Sequence, residues 1–164
     1  MAWAPGYAGV WHLNETGTVS REDSSQYANH AATQLYDGSE AVQGLMSGAD
    51  HFGRGATTNA LRVDSTVSIN ATDTLTVSAW IRPEQWDNDN VIVRREDAYR
   101  LYNRFDDVSE SYMTFKLRGD VNKEIGWHNS NMPTGQWYYV AGTYDRYAAG
   151  NNLLVYVNGV VVAQ

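Results

Sequence analysis

Carboxylates are the side chains of this sequence best suited to acid–base chemistry, and their spacing argues against a catalytic role. On a β-strand, residues two positions apart share a face, so carboxylates that together cleave a glycosidic bond are expected in the pattern Glu-x-Asp-x-Glu or a shorter form of it. The sequence lacks that pattern. Glu22-Asp23 and Glu96-Asp97 are adjacent pairs, which a strand would divide between its two faces. We therefore expect that the protein is not an enzyme, with a polysaccharide-degrading activity as the minor alternative.

Aromatic residues beside polar loop residues are the better candidates for ligand contact. An aromatic ring can stack on the face of a sugar while Asn, His and Arg side chains bind its hydroxyl groups. Two tryptophans precede Asn-rich turns, and an Arg-Leu-Tyr segment lies between them. The alternative is that each tryptophan only holds its own loop in place. The predicted ligand-binding residues are Trp86, Arg100, Tyr102, Trp127, His128 and Asn129.

Composition and charge exclude several classes of protein. The chain has 164 residues, 12 Lys and Arg against 19 Asp and Glu, a net charge of -7 and no cysteine. An acidic chain of this kind does not favour nucleic acid or an anionic membrane surface. The longest apolar runs are far shorter than the roughly 20 residues needed to span a bilayer. Without cysteine, neither disulfides nor thiolate metal ligands can form.

The hydrophobic pattern predicts β-strands throughout. Residues 75–81 alternate, with Leu75, Val77, Ala79 and Ile81 on one face and Trp80 on the other. The Asn158-Gly159 dipeptide between two apolar runs predicts a two-residue hairpin turn. Further strands are predicted at residues 9–13, 32–36, 61–63, 91–94, 100–103, 112–117, 124–128 and 137–144, and a short helical turn is predicted within 38–45.

The order of these segments resembles a known family. Six segments carry the likeness, at residues 10–15, 23–31, 51–53 with 61–63, 75–83, 133–145 and 153–159. Together they resemble the laminin-G-like group of concanavalin A-like lectin/glucanase domains, in its bacterial and archaeal surface-protein form. The resemblance implies one domain over residues 1–164, folded as an antiparallel jelly-roll sandwich of two curved sheets. It also implies a second small core, in which we expect Trp80 and Trp137, with a ligand-binding platform as the alternative for these two residues.

The resemblance implies a non-catalytic recognition or adhesion module, with a glycan as the expected ligand. A role in protein–protein contact, or as a structural spacer, is the alternative. The segment Asp23-Ser24-Ser25-Gln26-Tyr27-Ala28-Asn29-His30 resembles a family loop that holds calcium. By that resemblance, Asp23 and Asn29 are the expected metal ligands. An Asx-turn that only fixes the loop is the alternative.

The resemblance also leads to an expectation about the two ends of the sequence. The family pattern continues with closing strands beyond Asn158-Gly159, and these are not in the sequence. The first residues do not resemble a signal peptide. We therefore expect a piece of a longer secreted protein, located outside the cell or on its surface. An exposed strand edge left by the absent strands would recruit a strand-complementing partner or lead to self-association.

Overall fold

The computed structural model describes residues 3–53, 59–70, 73–87, 89–105, 110–118 and 123–164. These residues form thirteen β-strands and two short 3-10 turns, Val67–Ile69 and Asn129–Asn131, and they contain no α-helix. All the strand pairs are antiparallel. The predicted all-β class is therefore confirmed. The chain divides into two compact units, Met1–Ala71 and Thr72–Gln164.

Short strands make up the first unit: β1 (Ser20–Arg21), β2 (Ala31–Gln34), β3 (Ala41–Gln43), β4 (Gly48–Asp50) and β5 (Ala60–Arg62). One sheet has the order β1-β2-β5, and β3 pairs with β4. Inside this unit Arg21, 1% exposed, donates hydrogen bonds from Nε and Nη2 to the Asp50 carboxylate. The hydroxyl of Tyr36 donates to the same carboxylate at 2.9 Å. Pairing of this kind is what makes a buried charge tolerable.

Eight strands build the second unit: β6 (Thr74–Ile81), β7 (Asn90–Arg95), β8 (Tyr99–Phe105), β9 (Ser111–Leu117), β10 (Lys123–His128), β11 (Tyr138–Asp145), β12 (Leu153–Val157) and β13 (Val160–Ala163). They form two four-stranded sheets. We call the sheet with the order β10-β9-β8-β7 the first sheet, and the sheet with the order β13-β12-β11-β6 the second sheet.

Alternation along the strands explains the core between these two sheets. In β6 the side chains of Leu75, Val77, Ala79 and Ile81 are buried or half-buried, whereas those between them are exposed. The same period in the other strands fills one apolar cluster. Its fully buried members are Leu101, Met113, Phe115, Met132, Val140 and Val155. Burial of each large side chain contributes about 1.5–3 kcal/mol, so this cluster is the main source of the unit's stability.

The hairpin prediction is confirmed. Asn158 and Gly159 have φ angles of 51° and 80°, as a type I′ turn requires, and the turn joins β12 to β13. The backbone N–H of Tyr139 on β11 donates to the Asn158 side chain at 3.0 Å, and the N–H of Asn158 donates to the Tyr139 carbonyl at 2.7 Å. The turn is therefore tied to the neighbouring strand.

Three local predictions were wrong. Residues 9–13 form no strand but a single bridge between Trp11 and Asp23, and the positive φ of Leu13 (56°) ends the extended segment. Residues 38–45 contain β3 and not a helical turn, because Glu40 accepts hydrogen bonds from the backbone of Asp37 and of the positive-φ Gly38. Trp80 is 47% exposed and not part of a core.

Candidate ligand-binding face

The outer face of the first sheet is polar. Strand register places nine residues there in three cross-strand rows, because every second residue of β8, β9 and β10 points away from the core. We call this surface the polar face. Its rows are Arg100-Lys116-Glu124, Tyr102-Thr114-Gly126 and Arg104-Tyr112-His128. A compact array of hydrogen-bonding groups is thus held on adjacent, mutually bonded strands, which is the rigid support that a binding site needs.

The middle row lies lower than the rows on either side. Thr114 and Tyr102 are 1% and 3% exposed, and Gly126, which has no side chain, leaves the third position open. The Arg100 guanidinium covers the Tyr102 ring at 4.9 Å from its centroid. Burial, followed by the nearby Glu124 carboxylate, raises the pKa of Tyr102 to about 12. The Tyr102 phenol is therefore neutral at physiological pH. It forms the base of the middle row and can make hydrogen bonds.

The cationic side chains of the polar face are paired with carboxylates. Arg104 and Lys116 meet Glu124 on the face, and Arg100 lies 3.3 Å from Asp89 at its margin. Glu124 lies 2.5 Å from Lys116 Nζ and 3.3 Å from Arg104 Nε. The Nε of Arg104 is buried and makes no hydrogen bond within the described part of the chain, so its contact with Glu124 is an ion pair only. The Arg104 side chain as a whole is 43% exposed and remains accessible at the margin of the low middle row.

The histidine of the third row is oriented by its neighbours. His128 Nδ1 accepts a hydrogen bond from the Ser130 backbone N–H at 3.2 Å, so a neutral ring carries its proton on Nε2. The His128 ring meets the Tyr112 ring edge-to-face, with centroids 5.4 Å apart. Nε2 also lies 3.8 Å from a Glu110 carboxylate oxygen. These contacts fix the ring and leave about two-fifths of the side chain accessible to a ligand.

The structure brings together three of the six predicted ligand-binding residues: Arg100, Tyr102 and His128 share the polar face. It places Trp127 and Trp86 elsewhere. Trp127 is opposite Met113 on the core face of the sheet, and its ring packs against the core. The Trp86 indole donates to the Met132 carbonyl at 2.9 Å and also packs against the core. This placement favours the alternative given above, in which each tryptophan holds its own chain segment.

Asn129, the sixth residue, belongs to a buried polar network. It is 4% exposed, and its Nδ2 donates to Asn103 Oδ1 at 2.8 Å and to Ser111 Oγ at 2.9 Å. Asn103 in turn donates to the Asp87 carbonyl at 2.6 Å. A network of this kind ties the 3-10 turn and the loop after Trp86 to the sheet. Asn88, within that loop, lies outside the described residues.

Six residues of the polar face were not predicted from sequence: Arg104, Tyr112, Thr114, Lys116, Glu124 and Gly126. Their signal is alternation within β8, β9 and β10, where they occupy every second position between core residues. That signal assigns a face to each residue but does not give the pairing of the strands. The pairing register of β8, β9 and β10, which the pattern does not give, brings Glu124 between Lys116 and Arg104.

The predicted calcium ligand Asp23 is already saturated with protein donors. Its Oδ1 accepts from the backbone N–H of Val10 and of Ser25, and its Oδ2 accepts from Ser25 Oγ and from the Asn29 N–H, all within 2.8 Å. Burial alone would raise the pKa of Asp23, but these hydrogen bonds outweigh it and lower that pKa. A cation at this carboxylate would meet N–H groups in place of oxygen ligands.

Asn29, the second predicted calcium ligand, is also occupied. Its Nδ2 donates to the Ala8 carbonyl and to Ser68 Oγ, and its Oδ1 accepts from Thr66 Oγ1. Among the described residues no three acidic or histidine side chains are grouped as a metal site would require. The residues of this loop therefore do not fit calcium. The geometry favours the Asx-turn alternative, in which Asp23 holds the loop closed.

Two facing antiparallel sheets with a rigid polar outer surface are typical of lectin-like and adhesion domains. The family model of the concanavalin A-like lectin/glucanases superfamily, Laminin_G_3, matches residues 54–164, about two thirds of the sequence, and the chain belongs to this superfamily. No curated protein and no solved structure matched the chain. Within the described residues, we find no helix with the length and apolar character needed to cross a membrane.

Proposed function

We propose that this chain is a non-catalytic carbohydrate-recognition module of an extracellular or cell-surface protein. The observation that carries the proposal is the polar face, with charged and aromatic side chains around the low middle row formed by Tyr102, Thr114 and Gly126. Membership of a superfamily that includes lectins supports it. Sugar rings present hydroxyl groups around a partly apolar face, and this surface offers partners for both.

Each group on the polar face has a role in this proposal. Arg104 and His128 donate to sugar hydroxyl or carboxylate oxygens, and Glu124 accepts from hydroxyls. The ring of Tyr112, between Arg104 and His128, offers the aromatic surface. Gly126 leaves room for a ring to approach the sheet. Because Asp23 and Asn29 are saturated, binding is independent of calcium.

A glycan array tests this proposal. The folded chain is applied to immobilised neutral, acidic and sulfated glycans, once with millimolar calcium and once with chelator. The proposal predicts binding to a defined set of glycans that is the same in both conditions. Binding that disappears with chelator would contradict the calcium-independent site. An array without signal, alongside a specific protein partner in pull-downs, would favour a protein-recognition module.

A second candidate function, assembly through strand addition, is favoured by β13. This strand lies at the edge of the second sheet, carries no charge, and exposes 63% of Val160 and 43% of Val161. Uncharged edge strands pair readily with strands of other chains. Light scattering over a concentration series would show association that Val160→Lys reduces. A monomer at every concentration would contradict strand addition.

A further inference from the structure

The outer face of the second sheet carries a group of aromatic side chains. Trp80 on β6 lies directly opposite Tyr139 on β11, with ring centroids 5.5 Å apart and a 53° tilt. Beyond the ends of these strands, Arg82 lies over the Trp137 ring at 5.8 Å from its centroid. We call Trp80, Arg82, Trp137 and Tyr139 the aromatic patch. It consists of two cross-strand rows about 7 Å apart, since two residues of a strand span that distance.

Core packing does not account for the aromatic patch. The inner face of β6 is already filled by aliphatic side chains, and Trp80 points the other way, with 47% of its surface exposed. Tyr139 and Trp137 are also partly accessible. Exposed aromatic surface beyond single scattered residues is typical of a binding site.

The patch is held rigidly. The backbone N–H and carbonyl of Tyr139 are both bonded to Asn158 in the hairpin turn. Strands β6 and β11 are paired along eight consecutive residues, from Tyr138–Ile81 to Asp145–Thr74. Little side-chain or backbone freedom therefore remains to be lost when a ligand binds, which favours affinity.

We propose that the aromatic patch is a second carbohydrate-binding surface, one that stacks the apolar faces of pyranose rings of a neutral oligosaccharide. Tyr and Trp rings combine an apolar face with a polar edge, and sugars present the same combination. Arg82 supplies a donor for ring hydroxyls beside Trp137. This surface is distinct from the polar face, because the two lie on different sheets with the apolar core between them. It recognises sugar by stacking, whereas the polar face does so through hydrogen bonds.

Isothermal titration with neutral hexasaccharides of β-1,4-glucan, β-1,3-glucan and β-1,4-xylan tests the second site. We expect at least one to bind, with affinity reduced about tenfold or more in Trp80→Ala and largely restored in Trp80→Phe. The matched control, Val67→Ala, removes an apolar side chain that is 90% exposed and should change nothing. Arg104→Ala, on the polar face, locates the ligand: if this variant loses hexasaccharide binding while Trp80→Ala keeps it, the sugar binds at the polar face and the aromatic-patch proposal is overturned.

The aromatic-patch proposal is overturned if none of the three hexasaccharides binds, or if Trp80→Ala binds them as the wild type does. Should Trp80→Ala lose its β-sheet circular dichroism, Tyr139→Leu provides the second reading, with the same loss of affinity expected. A wild-type dimer that Trp80→Ala converts to a monomer would identify the patch as a contact between copies of the chain, which also overturns a sugar site.

Discussion

At the scale of single residues, hydrogen-bond saturation distinguishes side chains that hold the fold from those available to a ligand. Asp23 accepts three hydrogen bonds from its own loop and one from the Val10 backbone, and Asn129 is enclosed in a buried network. Arg104, by contrast, makes an ion pair with Glu124 and keeps 43% of its side chain exposed. The sequence identifies all three as polar and loop- or strand-associated, but it does not give their partners.

Asn129→Ala should lower stability and leave ligand binding intact. The substitution removes the hydrogen bonds to Asn103 and Ser111 inside the second unit. Leaving buried partners unsatisfied costs about 1–3 kcal/mol. Urea denaturation followed by tryptophan fluorescence measures the change. Normal stability together with lost glycan binding would instead show that Asn129 contacts the ligand.

Asp23→Asn should weaken the first unit at neutral pH and flatten its acid dependence. The folded-state pKa of Asp23 is lowered, so its contribution is fully present above the ordinary pKa of about 3.9 and is lost as pH falls through the folded value. Hydrogen bonds to a charged group contribute about 1.5–3 kcal/mol each at most, and Asn can replace only some of them. Denaturation at pH 7 and pH 3 should show a smaller difference for the variant than for the wild type.

Addition of calcium tests the interpretation that Asp23 holds its loop closed and is not a metal ligand. Protein first treated with chelator should show the same melting temperature with and without millimolar calcium, because the loop's oxygens already accept protein donors. A rise of several degrees would mean that the folded state binds the ion and that the loop rearranges to do so.

At the scale of elements, the alternation of apolar and polar residues was sufficient to locate strands that are long and bury one face. It located β6, β11, β12 and β13 to within a residue or two, because a shift by one position would expose the core face. In the first unit it located β2 and β5 but missed β1, β3 and β4, since strands of two or three residues depend on side-chain-to-backbone bonds such as those of Glu40. It also could not supply the register that assembles the polar face.

Gly142→Ala tests the close contact between the two sheets. A Cβ on Gly142 of β11 would lie 2.5 Å from the fully buried Phe115 ring of β9. Such overpacking costs about 1–3 kcal/mol. Gly150→Ala is the matched control, since nothing lies within 4 Å of a Cβ there. Equal melting temperatures for the two variants would contradict the tight contact between the sheets.

At the scale of the whole molecule, the distribution of charge matters more than its sum. The chain carries a net charge of -7, yet on the polar face three cationic side chains are matched by the nearby carboxylates of Glu124, Asp89 and Glu110. This face is therefore close to neutral, so it should bind glycans mainly through hydrogen bonds, with an affinity that depends only weakly on salt. The aromatic patch, which stacks rings, should also be insensitive to salt.

The affinity of the best array glycan for Arg104→Ala, measured by isothermal titration, tests the carbohydrate site most directly. Arg104 pairs with Glu124 near the surface, and such pairs contribute little to stability, so the variant should remain folded. The matched control is Arg146→Ala, which removes an exposed arginine 3.2 Å from Asp73. The polar-face site predicts about tenfold weaker binding for Arg104→Ala and unchanged binding for Arg146→Ala. Equal affinities for the wild type and both variants would contradict it.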